Sequence, residues 1–336
     1  ENIISAGAED ALLWLTQHLG QDHRIDLSGR KVVIFGASAE MAPTAQFSAA
    51  GAEILWLDLT PPTELTASQF RGGGLQFPIG GVNLLTQPAE TLATILAFAD
   101  TEPLDLCLYA YAPGQAREMR LTAGMNAIVN ALPNALVRSI TLLLSPTTAT
   151  PLDPTDLLAL THRKNTRPVW EAVFDGLGLL GSGGGAELQG PSGASRSVVG
   201  IQGASYQAAQ YLAKLMTAET WVQSGTSSSE QREPLRVSAN TAPITQTRSI
   251  AHPVFDAAFG GAAALGVQTF TPGQSQTLNG LLAVHDWLHP TAPQPGKIRV
   301  HGGIHTLPYP MDIALRVAAA IGFTQSPKLL GSLLKR

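Results

Sequence analysis

The chain has 336 residues, of which 44% are hydrophobic and only 14% charged, with a formal net charge of -4. Average soluble domains carry roughly 25% charge, so this balance excludes a disordered chain and gives no general pull toward nucleic acid. It predicts a large core, with apolar surface covered by another subunit.

Residues 5–20 read as a short amphipathic helix, with Leu12, Leu13, Leu15 and Leu19 on its apolar side. KVVIF at 31–35 is an apolar run ending in Gly36, residues 41–50 look helical, and EILWLDL at 53–59 is a second strand. Strand, helix, strand is the unit that makes two parallel strands. The pattern continues with a strand at 104–112, a helix at 115–132 and a strand at 139–145. A helix at 205–220, a strand at 235–240, a helix at 276–288 and a last strand at 297–303 follow. Apolar strands alternating with helices predict an α/β fold, a doubly wound parallel sheet covered on both faces.

Two segments break the rhythm. Residues 147–197 are rich in Thr, Pro, Ser and Gly, with one helix expected around 168–180 and a Gly-rich run at 181–195. Residues 223–234 read as a polar loop. The expected organisation is a helical extension at 1–25 and one Rossmann-like domain at 26–336. That domain carries the insertion 147–197 after its fifth strand, expected near the substrate side of the sheet. Cys107 is the single cysteine, which excludes an intramolecular disulfide and a cysteine-built zinc cluster. It sits in an apolar run and is expected in the core. No stretch reaches about 18 apolar residues, and no signal-peptide pattern opens the chain. The expectation is a cytoplasmic protein with no membrane contact.

Six pieces, in order, resemble the short-chain dehydrogenase/reductase superfamily, with 3-oxoacyl carrier-protein reductases among its members. DLSGRKVVIFGASAEMA at 26–42 resembles the start of that fold, and LCLYAYAPG at 106–114 its fourth strand and following turn. SITLLLSP at 139–146 resembles the strand bearing the catalytic Ser, and GASYQAAQYLAK at 203–214 the helix bearing the catalytic Tyr and Lys. LRVSANTAPI at 235–244 resembles the strand and turn beside the nicotinamide. PGKIRVHGGIH at 295–305 resembles the final strand. The resemblance implies Ser145, Tyr206 and Lys214 as catalytic residues if the protein is active. It implies Gly36, Ser38, Asp58, Pro243 and Thr245 as cofactor-binding residues, and no metal.

The motifs depart from the family where chemistry is done. The family's first turn has three glycines, which let the backbone approach a pyrophosphate at a helix N-terminus. Here Gly36 is kept, Glu40 replaces the second and Ala42 the third. A carboxylate at about 4 Å from a phosphate repels it by about 4 kcal/mol at an effective dielectric of 20. That is roughly a thousandfold in affinity. Alternatively Glu40 simply caps the helix start. Asp58 lies 58 − 36 = 22 residues after Gly36, a spacing that suits an acid on the adenosine ribose and a preference for NAD. It also suits a plain strand-end Asp before Pro61 and Pro62. Tyr109 and Tyr111 replace the family's Asn pair.

A catalytic Tyr needs its pKa lowered by a nearby ammonium. Four residues after Tyr206 stands Gln210, which carries no charge. Lys214 follows by eight, an offset of about 80° on an α-helix, and Tyr211 is three residues from Lys214. Asn126 reads either as the family's helix Asn or as a helix-surface residue. His301 and His305 are four apart, but a Gly-Gly pair between them argues against a metal. His162, Arg163, Lys164 and Arg167 form a small basic cluster, read as a solvated face or as a contact for a phosphate-bearing carrier or an acidic partner. Two functions follow. One is a non-catalytic partner subunit of an active homologue, in a homo- or hetero-oligomer, with no cofactor or weak NAD(P). The other is an active NAD(P)-dependent oxidoreductase acting on a carbonyl or a 3-oxoacyl thioester.

Overall fold

The computed structural model describes residues 3–19, 24–63, 73–112, 114–148, 152–180, 202–225, 235–250, 252–291, 293, 299 and 302–333. Strands β1 (Lys31–Phe35), β2 (Glu53–Leu57), β3 (Leu75–Gln76), β4 (Leu104–Leu108), β5 (Val137–Leu144) and β6 (Arg236–Thr241) form one sheet. All pairs are parallel, in the order β3-β2-β1-β4-β5-β6. This is the doubly wound Rossmann order. Its strands are near-continuous apolar runs because helices cover both faces. Val33, on the central strand, pairs with Leu55 on one side and Leu106 on the other. The order reverses between β1 and β4, so ligands are expected beyond the carboxyl ends of those strands.

The helices are α1 (Ala6–His18), α2 (Thr44–Ala49), α3 (Pro88–Ala99), α4 (Arg117–Ala131), α5 (Pro154–Thr166) and α6 (Val169–Gly176). Next comes α7, residues 204–225, whose middle part Ala209–Met216 is wound as a π-helix. Then follow α8 (Pro253–Gly261), α9 (Pro272–Leu288), α10 (Met311–Gln325) and α11 (Pro327–Leu333). No described helix is long and apolar enough to cross a membrane. Cys107 is fully buried, and that burial, with Asp105 beside it, pushes its thiol up.

Several expectations are corrected here. The strand predicted over 53–59 stops at Leu57, since Asp58 turns to bond Ser38 and Leu59. The strand predicted over 104–112 stops at Leu108, and Tyr109 to Ala112 leave the sheet. The described residues of the insertion hold two helices rather than one, the first capped by Asp153, whose side chain accepts the Thr155 N–H. It docks on a third core, where Leu180 packs with Ala257, Ala258 and Ala318 and Trp170 lies against them. Arg163 donates to the Gly303 carbonyl at 3.0 Å and to Thr306 at 3.2 Å. Arg167 pairs with Asp175 at 2.5 Å. Two of the four basic residues at 162–167 are therefore tied into the fold, and His162 and Lys164 face outward. The Gly-rich run at 181–195 lies outside the described residues, as do His301 and most of the last predicted strand.

Asp286 on α9 joins β6 to the C-terminal region. It is buried, and its carboxylate meets Arg299 at 2.6 Å, His285 at 2.9 Å and Asn240 at 3.2 Å. Burial alone would raise its pKa. Arg299 and the hydrogen bond from His285 outweigh that and hold the carboxyl below its usual range. A group depressed on folding contributes stability above its unfolded value, about 3.9, and that stability is lost as pH falls through the folded value. Denaturant melts from pH 6 down to pH 2 are expected to show a steep acid limb below about pH 4. Asp286→Asn should flatten that limb while lowering stability at pH 6.

Candidate active site and nucleotide cleft

The first turn after β1 is built as the sheet requires. Gly36 takes φ 79°, and a Cβ there would overlap the Ala110 backbone at the end of β4. That is why this glycine is kept. The following residues form turns, and α2 begins only at Thr44 and lasts six residues. The groups that would meet a dinucleotide are instead engaged with one another. Ser38 donates its N–H and its hydroxyl to Asp58 Oδ2, at 2.8 and 2.7 Å, while Leu59 N–H donates to Asp58 Oδ1 at 2.7 Å. Glu40 accepts from the backbone N–H of Arg248 at 2.9 Å and from its Nε at 3.0 Å. The Gln276 amide donates to the Glu40 carbonyl at 2.8 Å. Glu40 thus clasps the loop after β6 across the first turn. Thr245 is buried and shares its hydroxyl with the Pro243 carbonyl and Ser275. Tyr109 is buried on the Asn-pair side, its phenol pushed up by burial, with Cys107 and Asp286 adding to the shift. Tyr111 stands exposed at the rim. Both Asp58 oxygens thus accept hydrogen bonds from the protein itself, and the Glu40 carboxylate bridges the first turn to the loop after β6.

Deeper in, one buried carboxylate organises the site. Glu118, in the first turn of α4, accepts Ala112 N–H on Oε2 at 2.8 Å. On Oε1 it accepts Gln210 Nε2 at 2.9 Å and Lys214 Nζ at 3.0 Å. Lys214 spends a second proton on the Leu143 carbonyl at 3.3 Å. Gln210 Oε1 takes the Ser145 N–H at 2.9 Å. Glu118 and Lys214 are both buried.

The structure brings Ser145, Tyr206, Gln210 and Lys214 to one cavity wall. The α-helical count puts Lys214 about 80° off Tyr206. The π-winding of 209–216 advances less per residue and turns Lys214 back toward the same side. Tyr211 points outward and does not meet Lys214, which is buried. Ser145 Oγ shares a proton with Thr147 Oγ1 at 2.8 Å, and Thr147 donates on to Gln202 at 2.7 Å. Burial pushes the Tyr206 phenol well up, and the Glu118 carboxylate raises it further. The hydrogen bond with Ser145 lowers it only in part. Asn126 is not a surface residue: it is buried, donating to the Ala213 carbonyl at 2.7 Å and joining α4 to α7.

Sequence reasoning missed Glu118, Thr147, Gln202 and Arg248. Glu118 carries only the signal of an acid at a helix start. Its role comes from the helix entering beside the end of β4. Among the described residues no three His, Cys, Asp or Glu gather as metal ligands.

No protein-family model matches the sequence, and no curated protein matches it. Solved structures resemble it at low identity. A 3-oxoacyl (acyl-carrier-protein) reductase from Agrobacterium tumefaciens C58 with NADP bound is 13% identical, TM-score 0.49, covering 84% of this chain and 96% of that one. A 3-ketoacyl-(acyl-carrier-protein) reductase from Brucella melitensis complexed with NADH is 12% identical, TM-score 0.48, covering 87% and 100%. A putative NAD(P) dependent gluconate 5-dehydrogenase from Beutenbergia cavernae with bound NADP is 16% identical, TM-score 0.48, covering 83% and 98%.

Removing Glu118 strands the Lys214 ammonium in the interior. Breaking one side of a buried pair costs about 3–5 kcal/mol. Glu118→Ala is expected to lower the free energy of unfolding by that amount. The double variant Glu118→Leu with Lys214→Met should recover most of the loss, which urea melts of both will check.

Proposed function

We propose that this chain is a short-chain dehydrogenase/reductase-like protein that has lost hydride transfer and serves as a non-catalytic partner of an active reductase or dehydrogenase subunit. The observation that carries this reading is the pairing of Lys214 with Glu118. A Tyr that shuttles a proton near neutral pH needs a cation to stabilise its phenolate. Here the ammonium is neutralised by a carboxylate, and Gln210, four residues after Tyr206, brings no charge. The internal satisfaction of Asp58, Ser38 and Glu40 supports weak or absent dinucleotide binding. Should a dinucleotide bind, Asp58 favours NAD over NADP.

The second reading, an active oxidoreductase on a carbonyl or 3-oxoacyl thioester, draws on the Ser145–Tyr206 hydrogen bond and their shared cavity. Calorimetry with NADH and NADPH separates the two. Wild type is expected to bind neither below millimolar. Glu40→Gly, which frees the loop after β6, is expected to tighten NADH binding tenfold or more without bringing turnover of an acetoacetyl thioester. Micromolar binding and turnover by the wild type would overturn the first reading.

The partner surface is sought on the outer faces of α4 and α7. Tyr211, Leu212 and Met216 on α7 are 45%, 51% and 45% exposed, and Ala123 and Ala127 on α4 are exposed as well. A row of large apolar side chains flanking small ones suits helix-to-helix contact between subunits. Light scattering at about 10 μM is expected to give at least a dimer. Leu212→Glu with Met216→Glu should reduce it to monomer, and a monomeric wild type would sink the idea.

A further inference from the structure

Helix α6 is built inside out. A surface helix ordinarily turns its apolar stripe to the core and its charges to water. On α6 the two acids turn inward instead. Glu171 is buried with Arg163, Arg167 and Tyr309 around it, and Asp175 pairs with Arg167. Of the large apolar side chains on α6 only Trp170 turns in, against the third core. Val169, Val173 and Leu177 are spaced four apart and so share one stripe. They are 80%, 52% and 68% exposed. Phe174 and Leu179 are exposed beside them in the chain, and from Pro168 to Leu179 every exposed residue is apolar.

The charges nearby are of one sign. In the insertion, over the described residues 152–180, Asp153 caps α5 and Asp156 is buried, accepting the Ala6 N–H at 3.0 Å. With Glu171 and Asp175 turned in, the exposed titratable side chains there are His162 and Lys164, both basic. Lys164 is five residues from Val169, which the chain can span in at most about 18 Å. On a protein of net charge -4, this surface is apolar with a basic border.

We propose that α6 lays this face on a bilayer that contains anionic lipid, as a peripheral contact. Lipid is favoured over a protein partner by what the face lacks. Protein interfaces carry about one hydrogen bond per 100–200 Å² and are enriched in Tyr, Trp and Arg. A face with no exposed hydrogen-bonding side chain has nothing to fix the register of a protein partner, and lipid tails require nothing of the kind. The basic border matches anionic headgroups. The helix has eight residues, well short of the roughly 20 that cross a bilayer, so it lies in the plane of the interface. The expectation of no membrane contact rested on the length of apolar runs, whereas an interfacial helix needs only a stripe. Neither the Ser145–Tyr206 cavity nor a nucleotide takes part, so a failure here leaves the proposed function untouched.

The test is flotation of the purified full-length chain with vesicles of phosphatidylcholine and phosphatidylserine, and with vesicles of phosphatidylcholine alone. The wild type is expected to float with the mixed vesicles and to bind phosphatidylcholine alone severalfold more weakly. Lys164→Gln should weaken binding to the mixed vesicles about fivefold, the value of one cation at an anionic surface, and leave phosphatidylcholine binding unchanged. Val173→Glu with Leu177→Glu should abolish flotation while Tm and the mass in light scattering stay as in the wild type. Should that pair fail to fold, Val169→Glu decides, since an acid is favoured in the first turn of a helix: it is expected to weaken binding tenfold or more. Absence of wild-type flotation with the mixed vesicles overturns the proposal, as does equal binding to both kinds of vesicle. Undiminished flotation of a folded stripe variant also overturns it. So does a fall in mass on Val173→Glu with Leu177→Glu, which marks the face as a contact between proteins.

Discussion

The carboxylate of Glu118 is the constraint on which the site depends. Its two oxygens gather the backbone after β4, the amide of Gln210 and the ammonium of Lys214, and through Gln210 they reach the backbone of Ser145. Two strand ends and two helices are thereby held in one register at the carboxyl edge of the sheet. Such a buried pair adds little net stability against an apolar replacement. Its value lies in specifying one arrangement, because any other leaves a buried charge or donor unmet. The π-winding of 209–216 brings Lys214 to the cavity wall it shares with Tyr206, within reach of Glu118.

The first turn after β1 is likewise held by hydrogen bonds within the protein. In a dinucleotide fold the strand-end acid and the first-turn amides are kept for ribose and pyrophosphate. In this chain Ser38 and Asp58 satisfy each other, and Glu40 reaches over to Arg248. The repulsion expected of an isolated Glu40 carboxylate is reduced by the guanidinium beside it. What replaces it is a mechanical obstacle. The loop after β6 is tied to the first turn, and Arg248 itself is 90% exposed, so the tie is salt-sensitive. The first turn is held to its neighbours by hydrogen bonds made inside the protein.

The sheet was legible because parallel strands buried on both faces are uninterrupted apolar runs, as KVVIF and EILWL are. β3 was not, since two residues, Leu75 and Gln76, carry no periodicity. Helices α3, α8 and α10 were missed for a different reason. Alanine-rich stretches such as MDIALRVAAAIGF are apolar nearly all round, so they lack the one-sided stripe that marks a surface helix. Ser145, Tyr206 and Asp58 were visible from their spacing in a recognisable order of elements. Glu118, Thr147 and Arg248 were not, because each acts on residues far away in the chain that only folding brings close.

The low charged fraction finds part of its explanation in the C-terminal half. The insertion helices, α8 and α10 enclose a third core whose close contacts run through Gly261, Gly322 and Ala257. Beside that tight crossing lies the 220 Å³ cavity, walled by alanines where larger side chains would fit. Helices brought to backbone contact at one point and left apart a turn away are not an outcome of packing alone, since a single alanine replaced by leucine would close much of the gap. Gly261 and Gly322 bring the two helices to backbone contact at one crossing, and the alanines beside it leave the cavity between them open.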